Sequence, residues 1–83
     1  METVIRTPRQ LSQALRAQRA GKRLTQSAAG RDVGLLPKTI SALELKPEGS
    51  SIESLFKLLS ALNLELVVRE KGAERPARSG PKW

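Results

Sequence analysis

The chain has 83 residues, no cysteine, no histidine and a formal charge of +7, from 15 Lys+Arg against 8 Asp+Glu, with a pI of about 10.9. One small domain is expected at this length; the missing cysteines exclude disulfides and thiolate metal sites, and without histidine the usual zinc ligands and the commonest general base are lacking, so an enzyme is a poor expectation. The cationic excess favours a polyanionic partner, nucleic acid or an acidic membrane surface.

No apolar run is long enough to span a bilayer, and the opening METVIRTPRQ holds no signal-peptide apolar core. The expectation is a cytoplasmic binding module with no metal, no cofactor and no membrane partner. In chain order, residues 1–7 read as an N-terminal arm. Thr7-Pro8-Arg9-Gln10 then opens a first helix over about 8–20: Thr7 caps, Pro8 fits the first helical position and Gln10 completes a capping box. Leu11, Ala14 and Leu15 form its core stripe, and Gly21 is expected to end it. A second helix is expected from near Thr25 to before Gly34, and a third from Pro37 to about Leu45. Pro47 and Gly49 break the chain. Ser50-Ser51-Ile52-Glu53 reads as a second capping box, opening a fourth helix with Ile52, Leu55, Phe56, Leu59 and Leu62 on one face. The period then changes: Leu64, Leu66 and Val68 alternate with Glu65, Val67 and Arg69, which predicts a strand. Residues 71–83, containing GAERPARSGPKW, read as a disordered tail.

The stretch LTQSAAGRDVGLLPKTISALE places two short helices around Gly34. A steep helix–helix crossing needs a short turn, often with a glycine at positive φ. Gly30, one helical turn earlier, is small enough for close packing. Ala29, Val33, Leu35, Ile40 and Leu43 fall on the inside of the corner. An ordinary αα corner in a helical bundle would use the same spacing. From Arg6 to Arg23 there are six basic residues and no acid, which fits a flank touching phosphates and equally a solvated face.

The set Thr25-Gln26, Gly30, Gly34, Ile40 and Leu43-Glu44 resembles the helix-turn-helix of the phage repressor/Cro (XRE-like) family over about residues 9–63. The fold class implied is mostly α, a four-helix Cro/repressor-like domain over residues 8–70 with one C-terminal strand. Gly30 stands where alanine is commoner, at some expected cost in helix stability, and Leu35-Leu36 replaces the usual Ser or Thr cap before the third helix. In that family the start of the third helix enters the major groove. The resemblance therefore puts Leu36, Pro37, Lys38, Ser41 and Ala42 against the bases, with Lys38 as the polar reader of guanine and a large share of shape readout. It assigns Gln26 to a phosphate at a helix start, with Thr39, Lys22, Arg23 and Lys46 as further phosphate contacts, and makes Arg19 and Glu44 a structural ion pair. As bland alternatives, Lys38 is a solvated charge and Gln26 a local cap.

A lone strand leaves its backbone unpaired, so residues 64–69 are expected to pair with a second copy in an intermolecular two-stranded sheet that seals Leu62, Leu64, Leu66 and Val68 in a homodimer; Val4-Ile5 is a competing partner. Two copies would set two recognition helices about 34 Å apart, matching a palindrome. The whole plan, with TPRQLSQALR, LTQS, TIS, SLFKLLSALNLELVV and the terminal Trp83, resembles the HipB antitoxins, the DNA-binding partners of HipA serine/threonine kinase toxins. That resemblance implies a bacterial, nucleoid-associated antitoxin that binds double-stranded operator DNA and a HipA-like toxin and represses its own operon. It also implies that Trp83 anchors in the toxin, a use suited to a lone aromatic on a tail. A stand-alone repressor without a toxin, and an adaptor that has lost DNA binding, are the other readings.

Overall fold

A computed structural model describes residues 2–72. Four α-helices, α1 (Pro8–Gly21), α2 (Gln26–Arg31), α3 (Pro37–Leu45) and α4 (Ile52–Ala61), are joined by short turns, with a single 3-10 turn at Pro47–Gly49 between the last two.

The start of α1 forms as its sequence dictates. The Gln10 amide donates to Thr7 Oγ1 at 3.1 Å, and the amides of Thr7 and Arg6 donate to Gln10 Oε1 at 3.2 and 2.6 Å. Three amides that the first helical turn cannot bond are thereby satisfied. The end of α1 differs from expectation. Gly21 is still helical, and the left-handed residue that turns the chain is Arg23, at φ 57°. Thr25 caps α2, accepting from the Ala28 amide at 3.0 Å. Leu36, with no polar side chain, leaves α3 uncapped by any side chain, while its carbonyl accepts from Thr39 and Ile40.

At α4 the cap is Ser51, which accepts from the Ser54 amide at 3.0 Å. Ser50 lies one residue too early, so Glu53 closes no capping box. The Ser50 hydroxyl is buried instead and meets no partner among the described residues. The core face of α4 is also rotated from the expected one. Leu55, Leu58, Leu59 and Leu62 pack inward, whereas Ile52 and Phe56 are exposed.

Leu15, Ala29, Ile40, Leu43, Leu58, Leu59 and Leu62 form one buried cluster drawn from all four helices and the turn after α4, with Leu11, Leu24, Leu35, Leu55 and Leu64 packed around it. α3 lies in the middle, touching α1, α2 and α4. Its outer face is positioned by everything behind it.

After α4, Asn63 takes a left-handed conformation at φ 59° and the Leu64 amide bonds back to the Leu59 carbonyl at 2.8 Å. Residues 64–70 then form no strand with the other described residues. Leu62, expected in a dimer interface, is fully buried in its own subunit's core and has no surface left to offer another. Leu64 is half-buried against the same core, whereas Leu66, Val67 and Val68 are exposed, Val68 at 92%. The tail from residue 73, with Trp83, lies outside the described residues.

Candidate nucleic-acid interface

The corner between α2 and α3 is built on two glycines. Gly34 has φ 75°, where a side chain would be strained, and it reverses the chain between the helices. Gly30 is needed for space. A Cβ there would run into the Leu35 carbonyl and press on Ile40 Cδ1. With only hydrogen at that point, the Leu35 amide reaches the Gly30 carbonyl at 3.0 Å and the turn closes onto α2. The alanine common at this position in similar sequences has no room in this one.

One ion pair locks α3 to the rest. Arg19 Nε donates to Glu44 Oε2 at 2.6 Å and Nη2 to Oε1 at 3.0 Å, while Nη1 donates to the Leu24 carbonyl at 2.7 Å. Two of the five guanidinium donors hold the carboxylate and a third holds the α1–α2 turn. The Glu44 side chain is 2% exposed, so the charge is out of water and its partner is obligatory. The hydrogen bond to Glu44 raises the Arg19 pKa above its ordinary value; burial opposes this and the direct attraction of the Glu44 charge adds to it. Gln26 Nε2 also lies 3.4 Å from Glu44 Oε1, so the residue expected to meet a phosphate is tethered at the same node.

With its inner side anchored, α3 presents Leu36, Pro37, Lys38 and Ala42 to solvent, and Ser41 and Thr39 half-buried at the margins of that face. Leu36 is 64% exposed. Lys22 and Arg23 stand in the turn before α2, and Lys46 caps the far end of α3, all three exposed. Arg19, counted among the basic flank, is withdrawn into the ion pair. Leu45 was missed by sequence reading. It is 71% exposed and follows Lys38, Ser41 and Ala42 at i+7, i+4 and i+3, continuing the outer stripe. The signal was available: Ile40 and Leu43 already fill the inner face, so a leucine two residues further points outward. Among the described residues no group of three or more His, Cys, Asp or Glu side chains is placed to hold a metal, and no helix is long and apolar enough to cross a membrane.

Two short helices around a left-handed glycine, a bidentate anchor behind the second and an exposed first turn define a helix-turn-helix protein. No family model matches the chain. Antitoxin HipB of Escherichia coli O6:H1 (strain CFT073) is 33% identical over 64 residues, covering 77% of this chain and 68% of the relative. Antitoxin HipB of Escherichia coli K12 is 31% identical over 64 residues, covering 77% of this chain and 73% of the relative. A chain of the HipA-HipB-O2-O3 complex superposes with a TM-score of 0.81 at 28% identity, over 84% of this chain and 99% of that one. A chain of the HipB-O4 20mer complex gives the same values. The chain belongs to the HipB antitoxin family.

Proposed function

We propose that the protein is a DNA-binding antitoxin, not an enzyme, which neutralises a HipA-like serine/threonine kinase toxin and represses its own toxin–antitoxin operon in the bacterial cytoplasm, at the nucleoid. The observation that supports this most is the outer face of α3, held away from the core by the Arg19–Glu44 anchor, in a chain of the HipB family. Related HipB chains are found in complexes with HipA and with O2-O3, O2 20mer and O4 20mer.

In this reading Lys38 donates to guanine O6 and N7 from the first turn of α3. Leu36, Pro37 and Ala42 make apolar contacts with thymine methyls, and Ser41 has a hydroxyl at the edge of the same face. Lys22, Arg23, Thr39, Lys46 and the second amide hydrogen of Gln26 take phosphates on either side, fixing register without reading sequence. So few polar readers leave much of the specificity to DNA shape. Residues 64–69 pair between two copies, Leu66 and Val68 are covered there with Leu64 at the margin, and the two α3 helices read a palindrome. Residues 8–70 are then the working domain, and Trp83 of the tail seats in the toxin.

The test is fluorescence anisotropy with the protein's own promoter DNA, with and without the product of the adjoining gene. Tight binding whose logarithm falls linearly with the logarithm of salt concentration supports the phosphate contacts. Binding to DNA without effect on any adjoining kinase would make the protein a stand-alone repressor. Weak, salt-independent binding would make it an adaptor.

A further inference from the structure

An apolar groove of about 320 Å³ lies between the arm before α1 and the start of α4. Pro8, Leu11, Leu43 and Leu55 line it, together with Ile5 and Ile52. Ile5 and Ile52 are exposed, and so is Phe56, one turn further along α4. Apolar surface gathered in one place marks a site of contact. Leu66 and Val68, the residues offered to a second copy, are not among the groove's lining, so strand pairing between copies does not account for it. Its volume stands at the lower end of the range for binding sites. That suits one large side chain better than a helix or a strand.

We propose that the groove is the resting seat of Trp83 of the same chain. Trp83 is the single tryptophan of the sequence, and residues 73–83, which end on it, lie beyond the described part. Their tether begins close by. Arg69 Nη1 lies 3.5 Å from Glu2 Oε1; three residues separate Arg69 from Gly72, and three separate Glu2 from Ile5. Gly72 is therefore within roughly 30 Å of the groove, and residues 73–83 can extend to about 36 Å. A side chain on so short a tether meets its site at an effective concentration near millimolar, so a shallow groove is enough to hold it. Charge agrees with the placement. Glu48 stands at the Pro47 end of the groove, and Lys82 directly precedes Trp83, so a seated indole brings an ammonium to a carboxylate. Where the toxin takes Trp83, the groove competes for the same side chain; this consequence rests on the proposed function, whereas the seat itself does not.

Fluorescence of the full chain, without DNA or toxin, tests the seat, because Trp83 is the only tryptophan to emit. Emission is expected at shorter wavelength than from a peptide of residues 73–83, and quenching by acrylamide should fall to about half or less, as millimolar effective concentration implies for a millimolar site. Ile5→Asp and Ile52→Asp put a charge into the groove at exposed positions, so helical content by circular dichroism should hold while both signals return to those of the peptide. Emission and quenching equal to the peptide's overturn the proposal. So do signals that neither substitution changes. A shift that disappears on dilution also overturns it, by giving the groove to the tail of a second copy. Failure of toxin or DNA binding touches none of these readings.

Discussion

Glu44 is the residue whose loss should be felt most. Its carboxylate is buried and met by two Arg19 donors, so Arg19→Met would leave a buried charge with only the long contact from Gln26. Unfolding in urea should show a loss of about 3–5 kcal/mol. A loss below about 1 kcal/mol would place the pair in the class of exposed bridges. The sign of the pH effect follows from the direction of the Arg19 shift. A pKa raised on folding means the contribution of that charge is fully present below the ordinary arginine value and disappears only as pH rises through the still higher folded value. The stability gap between the parent and Arg19→Met should therefore stay flat from about pH 6 to 10. Lys38 plays the opposite part: it is exposed and does nothing for the fold. Lys38→Ala should leave the urea midpoint unchanged while weakening operator binding by about 1–3 kcal/mol, with relaxed preference at one base pair. An equal loss on every sequence would make it a phosphate contact.

At the scale of elements, the α2–α3 corner makes the sharpest demand. Alanine in place of glycine normally stabilises a helix by about 1 kcal/mol. At Gly30 the Leu35 carbonyl blocks the new methyl, and the net effect of Gly30→Ala should be a loss of about 1–3 kcal/mol by thermal or urea unfolding. A neutral or stabilising result would mean that the turn has slack. This corner shows what the sequence makes legible and what it does not. Helix starts were readable wherever a local device sets them: Thr7 with Gln10, Thr25, and Pro37 at its first-turn position. The choice between Ser50 and Ser51 was not, because both can cap and only the entry angle of the chain after Pro47–Gly49 decides. The rotation of α4 that exposes Ile52 and Phe56 was hidden for a related reason. Six apolar residues in that helix outnumber the places on one face, and the α2–α3 surface beneath selects Leu58 over Phe56. The steric need for Gly30 was invisible too; its sequence shows a weak helix former, and the clash arises from a carbonyl five residues on. On the site itself, the exposed first turn of α3 and the Arg19–Glu44 pair follow from the family resemblance and Leu45 from its spacing to Ile40 and Leu43, whereas the tether on Gln26 depends on a carboxylate eighteen residues away that only the fold brings close.

For the molecule as a whole, the distribution of charge and apolar surface argues that one subunit is half of a working unit. The fully buried cluster uses leucines up to Leu62, and beyond it the chain spends Leu66, Val67 and Val68 on solvent. A chain with a small core gains little from leaving such residues exposed. Covering them costs little either, since the backbone leaves α4 already turned outward at Asn63 and pinned by the Leu64–Leu59 hydrogen bond. Val68→Asp tests this without touching the core, because Val68 makes no contribution to its own subunit's burial at 92% exposure. Sedimentation should show the dimer dissociation constant rising by roughly tenfold or more, as a charge replaces an apolar group in a desolvated interface. Helical content by circular dichroism should be unchanged. The DNA consequence then follows from geometry rather than from any lost contact. A monomer holds one α3 and can grip one half-site, so affinity for a two-half-site operator should collapse toward that for a single half-site, and the salt dependence should fall to about half its slope as half the phosphate contacts vanish. If Val68→Asp instead dimerised normally and bound DNA with the parent's slope, the exposed valines would have no part in assembly, and the two-copy account of the operator complex would need another surface.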